Sequence, residues 1–328
     1  MRLILPALAL LAGCGHYADF QLPPPGGHER SVTVRWEPRT DPVMDRQPGW
    51  ESVDVLNPSV VRQGNRLFNF YSGYDGKTWH TGVATSTDGF SWQERRRILS
   101  PSLPWEGAYI AANGAALVRG NEFLYWYQAG DPPRLGLARS PDGRQWTKHP
   151  QPVLDLGPYG SWDERGVADP YVIEAAGVLY VFYLGQDRAR RQRLGIARSA
   201  DGITWTKLRT NPILEVGAAA TFDENGLGEP AVWSEHGRWW MLYTGRDRRE
   251  YRRLGLAWSR DGVTWQRFTE APVVSGSQPW SEKVICDPTL LAGPNGRQRV
   301  WFGGGDIAHP AENIHGQIGY GELFLEAR

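Results

Sequence analysis

Five times along this 328-residue chain an acidic or amide residue, usually followed by proline, opens a short apolar run, and an aromatic residue falls fourteen positions later. The openings are Asn57-Pro58, Asn113-Gly114, Asp169-Pro170, Glu229-Pro230 and Asp287-Pro288, answered by Tyr71, Tyr127, Tyr183, Tyr243 and Trp301. Successive openings lie 56, 56, 60 and 58 residues apart. A nearly constant period of this length, rich in short strand signals, points to a propeller or an array of all-β units, because each unit can bury its apolar faces only against its neighbours. In a closed propeller, equivalent positions converge on the axis. Five polar residues are therefore expected to meet in one place.

Each unit carries four signals in a fixed order. An aromatic residue followed by an acid comes first: Trp50-Glu51, Trp105-Glu106, Trp162-Asp163 and Phe222-Asp223, with Trp280-Ser281 as the departing fifth version. The apolar run after the opening residue, such as Tyr171-Val172-Ile173 or Ala231-Val232-Trp233, fits a strand buried on both faces. A strand ending near glycine follows, as in Phe68 to Gly73 and Trp240 to Gly245. The fourth signal is a hairpin with Asp-Gly at its turn, at Gly82–Trp92, Gly136–Trp146, Gly195–Trp205 and Gly255–Trp265. Glycine accepts the positive φ of the tight turn, so Asp88, Asp142, Asp201 and Asp261 are read as turn residues.

In the fifth unit Gln317-Ile318-Gly319-Tyr320 stands where the third strand should lie, and no Asp-Gly hairpin follows. The segment Ser31 to Trp36 alternates with period two and is expected to supply the missing outer strand. The expected fold is therefore all-β: a five-bladed β-propeller over residues 31–328, closed by an N-terminal strand pairing into the fifth blade.

Thirty-six basic residues balance thirty-six acidic ones, so no global field draws nucleic acid or an anionic membrane. Any partner must be recognised locally. Of the 16 Trp and 13 Tyr, most are expected to pack between sheets, while some stack on sugar rings. Residues 1–13 read as a signal peptide, with Arg2 followed by an apolar stretch too short to span a bilayer. Leu11-Ala12-Gly13-Cys14 resembles a bacterial lipobox, which implies lipidation of Cys14 and a cell-envelope location. Gly15 after the cysteine implies the outer membrane in a Gram-negative host. Residues 14–30, with Pro23-Pro24-Pro25-Gly26-Gly27, are then a tether, and the lipid is the only membrane contact. Cys286 is the one other cysteine, so no internal disulfide is expected.

The opening residues include the carboxylates Asp169, Glu229 and Asp287. Crowded carboxylates cannot all ionise freely, and a raised pKa is how a general acid is prepared. Paired carboxylates across a gap suit glycosidic-bond cleavage. The five units, the Asp-Pro and Glu-Pro openings and the Ser-x-Asp-Gly-x-x-Trp hairpins resemble the five-bladed propeller glycosidases, glycoside hydrolase families 43, 32, 68 and 130, over roughly residues 50–322. The resemblance implies an oligo- or polysaccharide substrate, with Glu229 as general acid and Asp169 as the carboxylate that orients the sugar and tunes the acid. Trp105 and Trp162, with Asn57 and Asn113, are expected to contact substrate.

The first unit departs from that pattern, since Asn57 occupies the place of the base, and an amide neither accepts a proton from water nor attacks as a carboxylate does. Asp54 three residues upstream, Asp287 in the fifth unit, or phosphate as in the similar family 130 phosphorylases are the three replacements. A phosphate clamp would come from Arg165, Arg188, Arg246 or Lys283, although the basic runs 188–193 and 246–253 read first as solvated loops. The alternatives are a glycan-binding lipoprotein without turnover, and a sialidase-like enzyme, whose six blades disagree with the count. No cofactor is expected; a central cation near His315 is implied only by arabinan-cleaving relatives.

Overall fold

The structure, a computed structural model, describes residues 16–327, so the expected signal peptide and the expected lipidation of Cys14 lie outside the described residues. Two short strands, β1 (Tyr17–Ala18) and β2 (Val32–Pro38), precede the repeats. The first unit is β3 (Asp54–Gln63), β4 (Arg66–Tyr74), β5 (Trp79–Ser86) and β6 (Gln93–Leu99). The second is β7 (Ile110–Arg119), β8 (Glu122–Ala129), β9 (Arg134–Ser140) and β10 (Thr147–Lys148). The third is β11 (Gly166–Ala175), β12 (Val178–Gln186), β13 (Gln192–Ser199) and β14 (Thr206–Leu208). The fourth is β15 (Gly226–Glu235), β16 (Arg238–Arg246), β17 (Arg252–Ser259) and β18 (Gln266–Arg267). The fifth is β19 (Val284–Ala292), β20 (Arg297–Gly305) and β21 (Gln317–Ala327), completed by β2, which pairs antiparallel with β21 from Val32 opposite Ala327 to Pro38 opposite Gly321.

Each unit is an antiparallel meander. Short parallel bridges join units one and two and units four and five, so hydrogen bonding groups the strands into three open sheets. The cores lie between successive units. Phe70 and Val83 of unit one meet Phe123 and Tyr125 of unit two, and Trp240 and Leu256 of unit four meet Ile285 and Phe302 of unit five. Units five and one also share a core, where Val55, Val60 and Tyr71 pack with Trp301, Ile318 and Tyr320. This is why the first strands read as continuous apolar runs: both of their faces are covered.

The aromatic–acid signal acquires a physical role here. Trp162 lies over Gly185 and Gly195, where any Cβ would come within 2.4 Å of the indole, and Trp50 sits likewise over Gly73 and Gly82. The following acid is buried and paired with a basic side chain from the outer strand. In unit three Asp163 accepts from Tyr183 Oη at 3.1 Å and Lys207 Nζ at 2.6 Å; in unit four Asp223 accepts from Tyr243 at 3.0 Å and Arg267 at 2.8 Å. Glu106 meets Tyr127 and Lys148, and Glu51 meets Arg95, which also donates to Tyr71. Each staple ties the segment before a unit's first strand to its second and outer strands. Unit five, with Ser281 and Trp301, lacks it. Trp105, stacked on Tyr127 with ring centroids 6.3 Å apart, and Trp162, 5.4 Å from Tyr183, therefore act as packing wedges, and neither lines the cavity where the opening residues meet.

The four Asp-Gly turns form as expected. Asp201 Oδ1 accepts the backbone N–H groups of Ile203 and Thr204 at 2.8 Å each, and Gly202 adopts φ 76°. Asp88, Asp142 and Asp261 do the same in their hairpins.

Residues 16–30 are not a tether held clear of the domain. β1 pairs with β14, Phe20 and Leu22 are buried between units three and four, and Glu29 bridges Arg238 and Arg260. Two apolar side chains and an acid placed among arginines give this stretch more to gain against the domain than in water. The packed domain thus extends at least to His16 rather than beginning at Ser31.

Candidate active site

All five opening residues adopt left-handed backbone conformations, with φ of 51° at Asn57, 49° at Asn113, 49° at Asp169, 47° at Glu229 and 53° at Asp287. Each lies at a break in strand register, between Leu56 and Ser59, Ala112 and Ala115, Ala168 and Tyr171, Gly228 and Ala231, and Cys286 and Thr289. The proline fits because a bulged position has no ladder bond to lose. Asn and Asp tolerate this region through their short polar side chains, whereas Glu229 has no such local compensation. Strain of about 1–3 kcal/mol at a non-glycine residue is characteristic of positions held for function.

The bulges turn the five side chains into one cavity of about 270 Å³, lined by Asn57, Asn113, Asp169, Glu229 and Asp287 and walled by residues from the neighbouring strand ends. The residues interlock around it. Asp287 Oδ2 accepts the backbone N–H of Asn57 at 3.2 Å, joining units five and one, and Asp169 accepts the backbone N–H of Glu229. Asn113 Nδ2 donates to Asp169 Oδ1 at 2.5 Å and to Gln128 Oε1 at 3.0 Å. Glycine stands where carboxylates approach most closely: a Cβ on Gly228 would be 2.8 Å from Asp169 Oδ2, and one on Gly303 2.7 Å from Asp287 Oδ2.

Burial, and then the neighbouring charge of Glu229, push the Asp169 carboxyl up to about 7. The same two causes hold Asp287 well above the usual carboxylate range. Arg252, 8% exposed, opposes them with its charge while Nη2 donates to the carbonyls of His309 and Pro310 at 2.9 and 2.7 Å. Glu229 Oε2 is buried and meets no hydrogen-bond partner among the described residues. Three carboxylates thus crowd one arginine, with Glu229 Oε2 left uncommitted.

A pH effect follows. The folded state keeps a proton on Asp169 that the unfolded chain, with a carboxylate pKa near ~4, has released. Stability from this group is full below about pH 4 and is lost as pH rises to about 7. Calorimetric melting temperatures of the native protein should fall across that interval relative to Asp169→Asn, whose amide cannot titrate. Parallel curves for the two proteins would contradict the assignment.

Several expected site residues lie elsewhere. Asp54 is fully buried and its carboxylate accepts the N–H groups of Asn313, Ile314 and Gly316 at 2.6, 3.2 and 2.7 Å, so it fixes the loop before β21 and does not face the cavity as a base. Of the phosphate-clamp candidates only Arg246 lines the cavity; Arg165 is exposed and Arg188 is paired with Glu164 and Tyr159. His315 pairs with Asp306 at 2.8 Å away from the cavity lining, and no group of three metal-ligating side chains is assembled among the described residues. Arg252, Gln186, Gln192 and Trp79, which line the cavity, escaped the sequence reading. Arg252 lay hidden in a basic run read as solvated, although its place three residues before Gly255 puts it on the third strand rather than in the loop.

The BNR repeat-like domain matches residues 29–275. The uncharacterized protein Rv1502 of Mycobacterium tuberculosis (strain ATCC 25618 / H37Rv) is 28% identical over 204 residues, 57% of this chain, and the chain spans 65% of that relative's length. Among solved structures, a BT0996 RGII complex superposes with a TM-score of 0.71 at 18% identity, covering 89% of this chain and 92% of the other. Beta-1,2-mannobiose phosphorylase from Listeria innocua, in complex with beta-1,2-mannobiose, gives 0.69 at 10% identity, covering 88% and 96%. A thermostable family-43 glycoside hydrolase gives 0.65 at 13% identity, covering 87% and 96%. The fold is therefore all-β and propeller-like, and the resemblance to the propeller glycosidases is borne out at the level of fold.

Proposed function

This chain belongs to the BNR repeat-like domain family, and from its cavity we propose that it is a carbohydrate-active enzyme that cleaves a glycosidic bond. The observation that carries the reading is the convergence of Asp169, Glu229 and Asp287 on one cavity, with Glu229 Oε2 uncommitted. Glu229 is the general acid that protonates the leaving oxygen. Asp169, which accepts from Asn113 Nδ2 and from the backbone N–H of Glu229, orients the acid and holds the sugar. Asp287 is the carboxylate left for the water or the sugar once Asn57 and Asp54 are set aside. Arg252 opposes the burial and the Glu229 charge that raise Asp287, and so favours the ionised form that this role needs.

In this reading the five meanders are five blades of a ring. The shared core of units five and one, the pairing of β2 with β21 and the hydrogen bond from Asn57 to Asp287 support it. The test of function is a screen of the protein against aryl glycosides and plant and microbial polysaccharides, with and without inorganic phosphate. Cleavage without phosphate is the expected result, and strict dependence on phosphate would replace hydrolysis by phosphorolysis. The amide at Asn57 favours a second reading, a glycan-binding protein without turnover; saturable glycan binding with no cleavage of any bound sugar would select it.

Cys14 is the proposed lipid anchor, at the cell envelope. His16 lies beside β14, the outer strand of unit three, its carbonyl accepting the Lys207 N–H at 2.8 Å, so an anchor two residues earlier would hold that edge of the domain near the bilayer. Radiolabelled palmitate should be incorporated by the native protein expressed in a bacterium and not by Cys14→Ser. Equal labelling of both would remove the anchor.

A further inference from the structure

The walls above the opening residues differ from unit to unit, and the internal repeat supplies the comparison. Aligning Tyr183 with Tyr243 places Gln186 opposite Arg246 in the repeat and Gln192 opposite Arg252. The structure keeps that equivalence: Gln186 pairs with Gln192 across β12 and β13, Arg246 with Arg252 across β16 and β17, and all four line the cavity. In unit one the corresponding pair is Tyr74 and Trp79, stacked with centroids 4.8 Å apart. One set of equivalent positions thus presents an aromatic face, an amide pair and an arginine pair.

The two arginines differ in what they are free to do. Arg252 is occupied by two carbonyls and by the charges of Glu229 and Asp287. Arg246 is held less completely. Its Nε is buried and meets no partner among the described residues, and its contact with Glu250 Oε2 at 3.3 Å leaves that oxygen without an aligned hydrogen bond. A buried N–H donor left unused is destabilising until an acceptor reaches it. Gly226 keeps the approach open, since a Cβ there would stand 2.9 Å from Gln192 Oε1 and 3.3 Å from Arg246 Nη2.

Resting on the reading of the cavity as a glycan site, we propose that Arg246 receives the carboxylate of an acidic sugar, so that the substrate class is a uronic-acid-containing glycan. The planar fork of a guanidinium matches a carboxylate, and one such fork balances a single negative charge. A phosphate dianion would need more positive charge than this wall has, because Arg252 is already committed to the three carboxylates below. Gln192, across Gly226 from Arg246, is an uncharged partner for a neighbouring hydroxyl.

The test is calorimetric binding of oligogalacturonides and glucuronate-containing oligosaccharides to the full chain, each compared with its methyl ester. The ester keeps the sugar and removes the charge. The expected result is that at least one free acid binds about tenfold or more tightly than its ester, and that Arg246→Gln, glutamine being what unit three carries there, abolishes the difference while the variant melts cooperatively. Equal binding of acids and esters, no binding of any acid, or an acid preference that survives Arg246→Gln overturns the proposal, as does phosphate binding lost in Arg246→Gln without any acid preference. Binding is read without turnover, so an Arg246-dependent preference in a protein that cleaves nothing would refute the cleavage reading and leave this one standing.

Discussion

Glu229→Gln should lower the turnover of any glycoside this protein cleaves by about 10²–10⁴-fold, the range for loss of a positioned general acid. Glutamine retains the size and the acceptor oxygen of glutamate but carries no transferable proton. The fold should not suffer, because Glu229 Oε2 is buried without a partner among the described residues and its charge is one of the causes that hold Asp169 and Asp287 above their ordinary range. Steady-state rates with an activated aryl glycoside and with a natural one provide a sharper reading. A good leaving group needs little protonation, so the loss should be smaller for the aryl substrate. An equal loss with both would assign Glu229 to binding, and undiminished rates would remove it from the chemistry.

Lys207→Met should destabilise the protein by about 3–5 kcal/mol, the usual consequence of leaving one member of a buried ion pair alone. Lys207 Nζ donates to Asp163 Oδ2 at 2.6 Å and to the Asp155 carbonyl at 2.7 Å, with side chains only 6% and 0% exposed at the pair. Methionine fills the space of the lysine stem and leaves Asp163 with Tyr183 and Ser161 as donors. Urea denaturation of the single variant and of Asp163→Asn/Lys207→Met separates charge from packing. The double variant should recover much of the loss, since an amide costs far less to bury than an unpaired carboxylate. If the double variant is no more stable than the single one, the staple acts through shape rather than charge.

Much of this was legible in the chain because it depends on local chemistry repeated at a fixed interval. The Asp-Gly hairpins are set by glycine's access to positive φ, and the strand runs of Tyr171 to Ile173 or Ala231 to Trp233 declared their burial by composition. The alternation at Ser31 to Trp36 was sufficient to place β2 beside β21, whose outer edge no local partner could fill. The convergence of Asn57, Asn113, Asp169, Glu229 and Asp287 followed from the period, since equivalent residues of a repeat that curls on itself must come together.

What misled the reading were residues whose meaning depends on contacts between distant segments. Trp162 looks like a sugar platform until the glycines beneath it are seen, Trp105 until its stacking on Tyr127 is, and Asp54 looks like a base until the loop at 313–316 folds onto its carboxylate. Cavity-facing Arg252 looks solvated in a run of arginines because only strand register shows which of them points inward.

By itself, then, the sequence determined the repeat, the strand order within each unit and the five polar positions that meet, because these rest on periodicity and on the φ, ψ preferences of single residues. Only the tertiary structure decided which polar groups are consumed by the fold and which stay free. Hydrogen bonding and desolvation are settled by neighbours 40 to 260 residues away, as Lys207 is for Asp163 and Asn313 for Asp54.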